Sequence, residues 1–144
     1  NLNFSEIIVI SRNKNSLNNL LNIFAKDRQI RGLLNSDLQI SNLIEATDLI
    51  VNTTPVGMKT ELNQEKLMPY GKNFWKSLNS KTIIYDLIYN PTPTPLLEFS
   101  EQKGCQTIDG TQMLIAQGVK SLSFWTNGLE VPFEIMQDAL KKYL

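Results

Sequence analysis

A chain without histidine must act on a ligand through other groups. The 144 residues contain no histidine and one cysteine, Cys105. That excludes His-based triads, HExxH metal sites, thiolate clusters and an internal disulfide. The residues that remain able to do chemistry stand mostly just after apolar runs. Arg12 follows the run Glu6–Ile10 (EIIVI), with Lys14 two positions on. A guanidinium fork matches a phosphate dianion, and no carboxylate stands nearby on the loop to repel it; the plain alternative is a solvated loop charge. Gly110, Met113 and Gln117 recur at i, i+3 and i+7 and so share a helix face. A glycine there admits a flat ring close to the backbone. Met113 suits either packing on that ring or ordinary core, and Gln117 suits hydrogen bonding to a small polar substrate. Tyr85 and Tyr89 are an even number of residues apart, on one face of a strand and its exit; Tyr89 fits either a ligand edge or packing. Asp86 and Asp109 fit a general base or a loop anchor.

These residues need elements to hold them. Glu6–Ile10, Asp48–Asn52 (DLIVN), Thr82–Ile88 (TIIYDLI) and Cys105–Ile108 have the look of buried parallel strands. Leu17, Leu20, Leu21 and Phe24 form one helical stripe, with Ser16 or Asn15 as the expected cap. Further helices are expected over Leu38–Ala46, Leu96–Lys103 with Gly104 as its stop, Gly110–Trp125, and about Phe133–Leu144 with Met136, Ala139, Leu140 and Tyr143 on one face. Residues 58–80 are expected to be loop with one short helix. Strands alternating with helices imply a parallel α/β sheet covered on both faces. In such a sheet ligands sit beyond the carboxyl ends of the strands. The segments Ser11–Asn13, Asn52–Pro55, Tyr89–Pro91 and Asp109–Gly110 should therefore converge on one edge. An arginine after the second strand of a dinucleotide-binding domain accommodates a 2′-phosphate, where an acidic residue would bond the 2′-hydroxyl.

Composition narrows the classes. One domain fits this length, and 42% apolar with 19% charged residues is an ordinary globular balance. The formal net charge of zero lacks the basic excess of a nucleic-acid binder. No apolar run reaches the roughly 18 residues of a membrane span. Cysteine usage points to the cytoplasm.

Together these segments resemble the C-terminal, NADP-binding part of shikimate dehydrogenase. The resemblance is carried by Asp48–Met58 (DLIVNTTPVGM), Tyr85–Pro91 (YDLIYNP), Thr94–Leu97 (TPLL), Asp109–Leu114 (DGTQML) with Gln117-Gly118, and Phe124–Thr126 (FWT). It implies a Rossmann-like fold and, for the parent enzyme, reversible NADPH-dependent reduction of 3-dehydroshikimate to shikimate. It places the 2′-phosphate loop on Ser11, Arg12 and Asn13, with Lys14 standing in for a basic residue that would fall on Ser16. Thr53, Thr54 and Pro55 fall along the cofactor, Leu87, Gly110 and Met113 around the nicotinamide, and Tyr89 and Gln117 on substrate-binding positions. A quinate-type dehydrogenase using NAD and a non-catalytic, self-associating nucleotide module are the alternatives.

The resemblance also implies what the chain lacks. The first glycine is Gly32, so the Gly-rich pyrophosphate loop, about 20 residues before the Arg12 position, would fall upstream of residue 1. The separate N-terminal domain with its catalytic lysine–aspartate pair has no match here. Residues 1–144 are therefore expected to be a partial NADP-binding domain without a catalytic residue, inactive alone. In the strand order 3-2-1-4-5-6, absence of strand 1 exposes two strand edges. An upstream segment, a rearrangement or self-association as a homodimer is expected to cover them.

Overall fold

The computed structural model describes residues 4–27, 29–36, 40–58, 68–69 and 75–142. Along the chain run β1 (Ile7–Ser11), α1 (Lys14–Ile23), β2 (Ile30–Leu34), α2 (Ile40–Glu45), β3 (Leu49–Asn52), β4 (Ile83–Asp86), α3 (Pro95–Gln102), β5 (Gln106–Ile108), α4 (Thr111–Trp125) and α5 (Phe133–Lys141). All strand pairs are parallel: β1 with β2, β3 with β4, and β4 with β5. They form two sheets, one of order β1-β2 and one of order β3-β4-β5. Among the described residues β1 has a strand neighbour only on its β2 side, and β3 only on its β4 side.

One core serves both sheets. Ile40 and Ile44 of α2, Trp75, Leu78, Ile84 of β4, and Leu96 and Leu97 of α3 are buried together, and Ile10, Leu33 and Ile50 pack against them from β1, β2 and β3. The indole Nε1 of Trp75 donates to the Pro69 carbonyl at 2.6 Å, so its polar edge is satisfied inside the core.

Several elements differ from the expectations above. β2 is an added strand. Its sequence, Ile-Arg-Gly-Leu-Leu, breaks an apolar run with Arg31 and Gly32, so no periodicity marks it. Tertiary contacts make it a strand: it pairs with β1 residue for residue, and Arg31 meets Glu6 in an ion pair. A Cβ at Gly32 would lie 2.8 Å from both Leu17 and Leu21 side chains, so glycine is what lets α1 close onto this strand. The cap of α1 is Asn13, not Ser16 or Asn15; its side chain accepts from Ser16 N–H at 3.0 Å. β4 ends at Asp86, so the same-face argument for Tyr85 and Tyr89 fails: Tyr89 lies beyond the strand. Helix α3 starts at Pro95 behind a Thr94 cap, and Gly104 past its end has φ +82°, the left-handed conformation that favours glycine. Leu38, Tyr143 and most of 58–80 lie outside the described residues.

Candidate functional site

The carboxyl ends of β3 and β4 shape a cleft of about 430 Å³. One wall is the β3 exit, Thr53, Thr54, Pro55 and Met58; the other is the β4 exit, Leu87 to Asn90. β3 and β4 pair in register, so their last residues, Asn52 and Asp86, lie side by side. Both are buried, Asp86 completely. Asn52 Nδ2 donates to Asp86 Oδ1 at 2.9 Å, and the Ile88 N–H donates to the same oxygen at 3.2 Å. Thr94 Oγ1 donates to Asp86 Oδ2 at 2.7 Å. Burial pushes the Asp86 carboxyl pKa up from its usual value, against the opposing pull of Thr94, Ile88 and Asn52. The Asn52 Oδ1 in turn accepts from the N–H and hydroxyl of Thr54, at 3.0 and 2.8 Å.

Helix α4 abuts the second wall at very close range. The Gly110 N–H donates to the Ile88 carbonyl at 3.0 Å, and a Cβ at Gly110 would stand 2.0 Å from the Leu87 carbonyl oxygen. Gly110 is the N-cap of α4, with φ −76° and ψ −3°. Any residue can adopt that conformation, so the requirement for glycine here is space. Asp109 fixes the approach: its carboxylate accepts from Thr92 Oγ1 at 2.8 Å and from the Thr111 N–H at 2.9 Å. Asp86 and Asp109 are thus both placed as anchors. Met113 is half-buried and Gln117 exposed along α4, and neither lines the cleft.

The basic segment sits at the carboxyl end of β1. Ser11 Oγ donates to the Asn13 carbonyl at 3.2 Å and accepts from the Asn13 N–H at 3.1 Å. With the Asn13 cap, this folds the turn that carries Arg12. Arg12 and Lys14 are both exposed, and no ion pair among the described residues engages them. Ser11 and Asn13 therefore shape the turn, while the Arg12 guanidinium stays open to an anion.

Of the residues singled out from sequence, the structure gathers Thr53, Thr54, Pro55, Leu87 and Tyr89 around one cleft and places Gly110 directly against its wall. Arg12 and Lys14 stand just past the carboxyl end of β1, which belongs to the other sheet. Ile88, Asn90 and Met58 also line the cleft without having been singled out individually. The Asn52–Asp86–Thr94 network is visible only once register is known, because each residue is alone among apolar neighbours in its own strand or caps a helix. The residues present suit part of a dinucleotide: a cleft with apolar and hydroxyl-bearing walls for a ring, and an open arginine for a phosphate. Among the described residues no helix is long and apolar enough to cross a membrane.

Residues 110–141 match the family described as Shikimate 5'-dehydrogenase C-terminal domain. Over all 144 residues the chain is 67% identical to a shikimate dehydrogenase (NADP(+)) of Prochlorococcus marinus strain MIT 9312, covering 50% of that protein. Among solved structures, a quinate dehydrogenase from Corynebacterium glutamicum in complex with NAD superposes with a TM-score of 0.80 at 25% identity, over 96% of this chain and 46% of the other. A shikimate 5-dehydrogenase from Listeria monocytogenes in complex with shikimate and NAD gives 0.74 at 29% identity, over 94% and 47%. The chain thus spans about half the length of the curated relatives it matches, and its parallel α/β fold superposes on these two solved dehydrogenases.

Proposed function

We propose that this chain is the greater part of the cofactor-binding domain of an NADP-dependent shikimate dehydrogenase, acting in the cytoplasm on 3-dehydroshikimate and shikimate. The observation that carries the reading is the 67% identity over the whole chain to a shikimate dehydrogenase (NADP(+)), joined to an open arginine at the carboxyl end of β1. Arg12 grips the adenosine 2′-phosphate, with Lys14 adding charge and Ser11 and Asn13 holding the turn. Thr53, Thr54 and Pro55 pass along the cofactor, and Leu87, Gly110 and Met113 border its ring. Tyr89 and Gln117 hydrogen-bond the substrate. When bound, the nicotinamide supplies the hydride chemistry. The acid–base lysine and its aspartate that this reading requires stand outside residues 1–144. One more parallel strand, carrying the Gly-rich loop, fits between β1 and β3 in the order 3-2-1-4-5-6.

Calorimetric titration with NADP+ and NAD+ tests the reading. Arg12→Ala should weaken NADP+ roughly 10- to 100-fold, the loss of a charge-assisted contact of about 1.5–3 kcal/mol, and leave NAD+ nearly unchanged. Equal loss for both removes Arg12 as the phosphate clamp; binding of neither by the parent removes the cofactor reading of this chain. The superposition on a quinate dehydrogenase in complex with NAD favours a second reading, a quinate-type enzyme. Stronger binding of NAD+ than of NADP+ by the parent would support it.

A further inference from the structure

We propose that Asp86 is a positioning residue for the cofactor cleft, its carboxylate fixing the spacing of the two loops that form the cleft walls. The inference rests on the reading of the cleft as a cofactor site. Oδ1 of Asp86 accepts from Ile88 N–H in one wall and from Asn52 Nδ2. Asn52 passes the tie to the other wall by accepting twice from Thr54, whose hydroxyl accepts from the Val56 N–H at 3.3 Å. An unbroken chain of hydrogen bonds therefore runs from Ile88 through one buried oxygen to Thr54 and Val56. The other oxygen, Oδ2, faces away, to Thr94, which caps α3 by accepting from the Leu97 N–H. A well-packed apolar side chain would hold β4 in the core as well as a buried carboxylate does. It could not accept from Ile88 and Asn52 at once. The two oxygens thus divide two duties, one toward the cleft and one toward the helix.

That division supplies the test. Asn52→Ala cuts the cleft arm, and Thr94→Ala cuts only the helix arm. Both should lower the melting temperature of the full chain, since each removes a buried hydrogen-bond partner. Asn52→Ala should weaken NADP+ by about tenfold or more, and Thr94→Ala by no more than about twofold. Losses in proportion to the fall in stability, or no loss in Asn52→Ala, would overturn the proposal. If Asn52→Ala does not fold, Asp86→Asn decides. Its amide oxygen can still serve Asn52 and Ile88 while its NH2 turns to Thr94, so NADP+ should weaken by less than about threefold, and a larger loss in folded protein overturns it. The tie has its own readout in the backbone amide resonance of Ile88, which should shift in Asn52→Ala. An unmoved Ile88 amide overturns the tie. If the parent binds neither nucleotide, that resonance still decides the tie, while the cofactor reading fails separately.

Discussion

Replacing Gly110 with alanine adds one methyl group at the point where α4 meets the cleft wall. The new Cβ would lie 2.0 Å from the Leu87 oxygen, 2.5 Å from the Leu87 carbonyl carbon and 3.0 Å from that of Ile88. All three are backbone atoms, so no side chain can swing aside. Relief requires a shift of at least about 1 Å of either the first turn of α4 or the Leu87–Ile88 segment, because real Cβ contacts essentially never fall below 3.0 Å. Either shift strains the Gly110 N–H to Ile88 carbonyl bond. Two effects oppose each other. The backbone at Gly110, φ −76°, is open to alanine, and a compatible Gly→Ala change stabilises by about 0.4–1 kcal/mol through the unfolded chain. Overpacking costs about 1–3 kcal/mol, and a lost hydrogen bond about 1 more. The clash wins, with a net loss of roughly 1–3 kcal/mol, or about 2–12 °C in melting temperature for a chain of this size.

Circular dichroism melts and NADP+ titration of Gly110→Ala measure both consequences, since the displaced segment is also the cleft wall. Gly118→Ala is the control. There a Cβ would meet only the flexible tip of Met136, at 2.9 Å, which can turn away. A Gly110→Ala protein with the parent's melting temperature and NADP+ affinity would refute the steric account of this glycine.

Three further outcomes are expected. Because burial raises the Asp86 pKa above the ordinary 3.8, its folded state holds the proton more tightly than its unfolded state. The stability it contributes is fully present below the unfolded-state pKa and is lost as pH rises through the raised folded value. In urea titrations from about pH 4 to about pH 7, the stability of the parent relative to Asp86→Asn should therefore fall as pH rises; a constant or rising difference contradicts this. Asn13→Ala removes the acceptor for Ser16 N–H and should destabilise α1 by about 1 kcal/mol, read by chemical denaturation. The 144-residue chain should self-associate with rising concentration in sedimentation velocity, since among the described residues β1 and β3 each have a strand neighbour on one side only. A stably folded monomer at all concentrations would show that these edges need no partner.

What could be read from sequence followed the strength of local pattern. The apolar runs EIIVI, DLIVN and TIIYDLI made three strands legible, because short continuous β-branched runs bounded by turn residues mark parallel strands. β2 was not legible: Arg31 and Gly32 interrupt it, and only the close approach of α1 and pairing with β1 make it a strand. The site divided in the same way. Thr53–Pro55 and Tyr89 could be placed together because parallel strands deliver their exits to one edge, whereas Leu87, expected inside the strand, came to the site only through the family resemblance. Gly110 could be singled out at the start of a helix, but not the reason for it, which is the Leu87 backbone carbonyl, separated from it along the chain by α3 and β5. The burial of Phe124 and Trp125 could not be read at all. They end the apolar helix α4 and would pass for core, yet stand 84% and 75% exposed. The same limit explains Asp86. Within TIIYDLI it is the one charged residue of an apolar strand, open from sequence to either a general base or an anchor. Register with Asn52 and the cap of a helix eight residues later resolve it, and both are properties of the sheet, where a one-residue slip would turn every one of those side chains to the opposite face.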